Sequence, residues 1–226
     1  MGLGKRDVMT GRARMEAILH RQPVDRLSWT TLIDNTSLAH FPRTLRGHGG
    51  IDFYRHIGCD IFLLNGWNLP HSFQSPAFSW GPEVTTEWRR EGENAICEWK
   101  TPCGNLTGIC QGGHPIKYAV DSLSAVRIYR AMWENVQFKC CDDTKPFKAV
   151  NRLIGNDGIV TRFWGPSTIP RLLEMDMGTI HFYYLLHDHP REMDELIRVI
   201  HAKELQAFEC LARGPCEVVV LCENTS

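Results

Sequence analysis

Residues 158–178 read GIVTRFWGPSTIPRLLEMDMG. Ile159, Val160, Phe163 and Trp164 form a short β-branched and aromatic run, and Gly165-Pro166 breaks it. Ser167 or Thr168 can then cap a helix that carries Ile169, Leu172 and Leu173 on one face. The pattern predicts a buried strand, a tight turn and a helix, one β-loop-α unit. In α/β folds the loop leaving the carboxyl end of a parallel strand gathers binding groups, and the first N–H groups of the following helix attract anions. A single unit of this kind is more often a plain structural turn, so the rest of the chain has to give it meaning.

Working outward, further βα signals repeat. Residues 10–21 predict a helix with Thr10 as N-cap and Met15, Ile18 and Leu19 on one face, stopped by Pro23. A first strand is expected near Leu27, running to Trp29, Thr30 and Thr31. Asp60-Ile61-Phe62-Leu63-Leu64 is continuously apolar after its aspartate, as in a strand buried on both faces of a parallel sheet. Residues 78–112 alternate β-formers with polar residues around a turn at Glu91-Gly92-Glu93-Asn94, the texture of an antiparallel ribbon inserted in the domain. Helices are expected through Leu123, Val126, Tyr129, Met132 and Trp133, from Pro146 to Leu153, and from Pro190 through Met193, Leu196, Ile197, Ile200, Phe208 and Leu211. Glu217-Val218-Val219-Val220-Leu221-Cys222 predicts a last strand.

Strands near 27, 61, 160 and 218 in alternation with helices describe about four parallel strands in one domain over residues 1–226. A closed (β/α)8 barrel uses eight strands in about 250 residues. The expectation is an incomplete barrel: a parallel sheet with outer helices, inactive alone, whose last strand offers an open apolar edge for self-association.

Composition narrows the function. With 226 residues, 43% of them hydrophobic, the chain can bury a real core, and a net charge of −1 gives no electrostatic case for nucleic acid or an anionic membrane. No apolar run spans a bilayer and no signal-peptide pattern opens the chain, which makes the cytoplasm the expected compartment and leaves all nine cysteines as thiols. Cys97, Cys103 and Cys110 lack zinc-knuckle spacing, and His187-Asp188-His189 suits a helix entry, so no metal ligands are assigned and the purified chain is expected to hold no stoichiometric zinc.

The order of the pieces resembles the uroporphyrinogen decarboxylase superfamily, a TIM-barrel group that includes corrinoid-dependent methyltransferases. The likeness is carried by Thr10-Gly11-Arg12-Ala13-Arg14-Met15 with Pro23-Val24-Asp25-Arg26, by the ribbon closing at Thr101-Pro102-Cys103-Gly104, by Gly165-Pro166-Ser167, and by Asp188-His189-Pro190. The decarboxylases carry arginines after the first strand and an essential aspartate at the end of the second. Here Thr30-Thr31-Leu32-Ile33-Asp34-Asn35 holds no arginine, and Asn65 stands nearest the aspartate's place. The resemblance therefore implies the methyltransferase branch, in which a parent enzyme transfers a methyl group from a methylated corrinoid or other donor to a thiol held on zinc, the zinc ligands lying beyond Ser226. Zinc and a corrinoid protein are implied for that parent, and no cofactor for this chain. Porphyrinogen decarboxylation and a non-catalytic remnant of the fold are the alternatives.

Strand ends supply the expected site. Glu223 and Asn224 read as catalytic residues at the carboxyl end of the last strand. Trp29, Thr31, Asn65, Trp67, Asn68, Trp164 and Ser167 read as the walls of a small-molecule pocket, although Trp67 and Trp164 suit core packing equally well. Trp164 and Ser167 are expected to be partly exposed.

Overall fold

The computed structural model describes residues 8–33, 35–65, 73–221 and 223. In chain order the helices are α1 (Gly11–Leu19), α2 (Asn35–His40), α3 (Ile51–Ile57), α4 (Leu123–Glu134), α5 (Thr144–Ile154), α6 (Thr168–Arg171), α7 (Gly178–Asp188) and α8 (Pro190–Ala212). The strands are β1 (Ile61–Asn65), β2 (Ala77–Ser79), β3 (Thr85–Glu91), β4 (Asn94–Thr101), β5 (Gly104–Gln111), β6 (His114–Lys117), β7 (Gln137–Lys139), β8 (Gly158–Trp164) and β9 (Val219–Leu221). The protein is mixed α/β and divides into two compact units, one comprising Met1–Ser75, Asp142–Trp164 and Leu211–Val220, the other Pro76–Cys141, Gly165–Cys210 and Leu221–Ser226.

The first unit is built on a parallel sheet of three strands in the order β1-β8-β9. The apolar run Ile61–Leu64 pairs with β8 in a register that sets Ile61 opposite Gly158 and Asn65 opposite Arg162. Gly158 is required there, because a Cβ at that position would lie 1.8 Å from the Ile61 carbonyl oxygen. Ile61, Leu63 and Val160 are buried with Ile51 and Tyr54 of α3 and with Val150 and Ile154 of α5. On the far side the Arg162 N–H donates to the Val218 carbonyl at 3.0 Å.

The sheet corrects the expected strand count. Residues 27–31 do not form a strand; their link to β1 is the Asp60 N–H donated to the Trp29 carbonyl at 3.0 Å. Leu27 is 85% exposed, so the segment lacks the covered faces of an interior strand. The last strand is three residues long rather than six, with Leu221 about half exposed at the sheet's edge. In α1 the buried face carries Arg14, Met15 and Ala17, while Ile18 and Leu19 point to solvent.

In the second unit β3, β4, β5 and β6 form an antiparallel sheet, with Glu91 paired to Asn94 across the expected turn. Ser122 caps α4 by accepting the Ala125 N–H, and the α4 face Ala125, Val126, Tyr129, Met132, Trp133 packs with Leu106 of β5 and with Met193, Leu196 and Ile200 of α8. Between α6 and α7 the chain makes one π-helical turn, Leu172–Asp176. Cys140 and Cys210 are joined in a disulfide, which corrects the expectation that every cysteine stays a thiol: the end of β7 and the last turns of α8 bring two of them together. No described helix is long and apolar enough to cross a membrane.

Two substitutions probe this framework. Gly158→Ala must push β8 off Ile61 and is expected to destabilise the protein by about 2 kcal/mol or more in urea unfolding. Cys210→Ser opens a loop spanning 70 residues, and loop-closure entropy predicts a loss of about 4 kcal/mol.

Candidate functional site

Charged groups of the first unit converge at the amino-terminal ends of β1 and β8. Arg14 of α1, 1% exposed, donates from Nε to Asp25 Oδ1 at 2.7 Å, from Nη1 to Asp60 Oδ1 at 2.5 Å, and from Nη2 to the Met9 carbonyl at 2.8 Å. Arg26 reaches both oxygens of Asp60, at 3.1 and 3.0 Å, and Ser28 donates to Oδ2 at 2.7 Å. Asp25 also accepts the N–H groups of Val8 and Met9, each at 2.9 Å. The Arg14 guanidinium first, and then these backbone donors, hold the Asp25 carboxyl well below the usual carboxylate range.

Beside this cluster lies an open cavity of about 460 Å³ lined by Thr10, Gly11, Arg26, Arg55, Asn156 and Asp157 among others. Its arginines are already paired: Arg55 donates to Asp157 Oδ2 at 2.7 Å and to the Leu153 carbonyl at 2.8 Å. Gly11 is fixed by close approach, since a Cβ there would sit 2.2 Å from the Asp157 carbonyl oxygen. Ligands of parallel α/β sheets gather at the opposite, carboxyl ends. The amino-end cluster is therefore a structural clasp, in which Arg14 is spent on Asp25 and Asp60, Arg26 on Asp60, and Arg12 on Gly155 and Asn151.

Trp29 and Thr31 belong to this end too. The Trp29 carbonyl accepts the Asp60 N–H just before β1, two residues ahead of Thr31. The sequence reading set them at the carboxyl ends of the strands; Arg26 and Ser28, tied to Asp60, hold the segment at the amino end instead. At the other end Asn65 closes β1 and half-buried Trp164 closes β8, while Trp67, Asn68 and Asn224 lie outside the described residues. Arg162 donates from Nε and Nη2 to the Ser75 carbonyl, at 3.1 and 3.0 Å.

In the second unit the start of α6 collects carboxylates. Glu223 accepts the Ser167 N–H at 3.2 Å through Oε1 and the Ser167 hydroxyl at 3.0 Å through Oε2. Glu204, reaching in from α8, accepts the Thr168 N–H at 3.0 Å and also its hydroxyl. The anions expected at this helix start are thus the protein's own side chains. Ser167 and Glu223, singled out from different stretches of sequence, meet; Ser167 is half-buried and Glu223 exposed.

A turn further on, the Arg171 guanidinium lies over the Trp133 ring, 5.6 Å from its centroid. Burial pushes Asp176 from the ordinary 3.8 up to about 6 against the pull of Arg171 and of the Tyr129 hydroxyl, and burial with the Asp176 charge raises Tyr129 well above 10. Oδ2 of Asp176, Nε of Arg171 and Nε1 of Trp133 are buried without a hydrogen-bond partner among the described residues. Sequence reasoning missed Glu204 and Asp176. Glu204 was legible as an acid four residues after Ile200 on the apolar stripe of α8; Asp176 had no such signal, because the π-helical turn breaks the spacing.

Burial pushes Cys97 and Cys216 up to about 11 and raises Cys59, so these stay protonated at neutral pH. Among the described residues no group of His, Cys, Asp and Glu is placed to hold a metal ion.

Asp176 and Asp25 act on stability with opposite sign. Asp176, raised when folded, contributes stability that is fully present below about pH 4 and lost as pH rises through 6. Its removal in Asp176→Asn should cancel a pH-dependent loss on the order of 3 kcal/mol between pH 4 and pH 7, read as the wild-type-minus-variant difference in urea unfolding. Asp25, depressed when folded, contributes stability present above about pH 4 and lost in stronger acid, so Asp25→Asn should flatten only the acid limb. The chain matches no family model, and no curated protein and no solved structure matches it either.

Proposed function

We propose that the chain is part of a (β/α)8-type domain of the uroporphyrinogen decarboxylase-like superfamily, on its methyltransferase side. In the intact parent it takes part in methyl transfer from a methylated corrinoid, or another methyl donor, to a zinc-activated thiol. The reading is supported by the parallel order β1-β8-β9 and by the convergence of the motif residues that carry the resemblance, Arg14 pairing with Asp25 and both Arg14 and Arg26 with Asp60.

The observation that carries the choice of branch is the Ser167–Glu223 contact. An exposed carboxylate where βα loops collect ligands repels the carboxylates of a porphyrinogen, and it accepts hydrogen bonds from the carboxamides around a corrin ring. Glu223 and Ser167 are the ligand-binding residues of this reading. The described cysteines do not fit a zinc site, and no step of the chemistry is assigned to them.

Equilibrium dialysis of the purified chain against methylcobalamin and against uroporphyrin tests the reading. Saturable binding of methylcobalamin is expected, weakened at least tenfold by Glu223→Lys. Binding of uroporphyrin alone supports decarboxylation instead, and binding of neither overturns the proposal.

A further inference from the structure

Helix α7 is apolar on two sides. Gly178, Phe182 and Leu185 are buried in the core of the second unit. The opposite side presents Ile180, Tyr183, Tyr184 and His187, spaced i, i+3, i+4, i+7, with exposures of 70%, 59% and 68% for the first three and 87% for the histidine side chain. Met175, 56% exposed, extends the stripe from the π-helical turn. A surface helix normally turns charge outward, yet from Gly178 to Asp188 the one Lys, Arg, Asp or Glu is Asp188 at the last position, paired with His187.

We propose that this stripe is a homodimer interface, occupied by α7 of a second copy of the chain about a two-fold axis. Ile180, Tyr183, Tyr184 and Met175 together expose on the order of 500 Å² of surface. That is at the upper end of what a monomer leaves open and most of the roughly 800 Å² per partner of a stable interface. An antiparallel pair sets Ile180 of one copy against Tyr184 of the other, with the phenol hydroxyls at the wet rim. The stripe's chemistry selects this occupant. It lacks the flanking lysines and arginines that an anionic membrane or nucleic acid would need. At a net charge of −1 two copies do not repel each other at long range.

Sedimentation velocity of the full chain between 1 and 100 µM, with exposed thiols alkylated, tests the interface. A dimer is expected. Ile180→Glu and Tyr184→Glu should each raise its dissociation constant at least tenfold with an unchanged circular dichroism spectrum, since both side chains are exposed, while Leu221→Lys on the sheet edge should leave it intact. A monomer at every concentration overturns the proposal, whether or not it floats with phosphatidylcholine–phosphatidylglycerol vesicles. So does a dimer indifferent to the α7 variants, or one dissolved by Leu221→Lys alone.

Discussion

The ion pair between Arg14 and Asp60 is the constraint on which the first unit rests. Both side chains are almost wholly withdrawn from water, at 1% and 3% exposure. Burying two charges costs several kcal/mol per ion unless their remaining hydrogen bonds are met. Here Asp25, Arg26, Ser28 and the Met9 carbonyl meet them. The same residues therefore tie α1, the segment after it and the start of β1 into one piece. Arg12 adds β8 to it, donating to the Gly155 carbonyl at 2.9 Å and to Asn151 Oδ1 at 2.6 Å just before that strand begins.

This arrangement commits the charges at the amino ends of the strands to one another and to the backbone. At the amino ends Arg14, Arg26 and Arg55 each face a carboxylate at hydrogen-bond distance, Arg12 is held by the Gly155 carbonyl and Asn151, and Gly11 and Gly158 are held by backbone contact. Within the second unit the carboxylates at the start of α6 are held differently. Glu204 is buried on Thr168, whereas Glu223 is exposed and accepts the Ser167 N–H and hydroxyl.

Much of the fold was legible because its signals are local. The apolar run at 61–64, the Ser122 cap and the stripe on α8 each specify an element without help from the rest of the chain. What escaped was set by contacts distant in sequence. Leu27 to Thr31 has strand-like residues, but Asp60 captures Arg26 and Ser28 from 34 and 32 residues away, and the backbone follows them. Ile18 and Leu19 lie outward because Arg14 commits the opposite face of α1 to the clasp. In the site, Ser167 could be read from its turn, Glu223 from its strand and Glu204 from the stripe of α8, whereas Asp176 ends a π-helical turn that no sequence period announces.

A double-mutant cycle on Arg14 and Asp60 measures the clasp directly. Urea unfolding of Arg14→Met, Asp60→Asn and the double variant should show each single change costing about 3–5 kcal/mol, because each deprives a buried charge of its most deeply buried partner. The double variant should cost little more than either single one, a coupling above about 2 kcal/mol. Single losses under about 1 kcal/mol that simply add would contradict the account, and would make the pairing at the amino ends of the strands a consequence of the fold rather than its support.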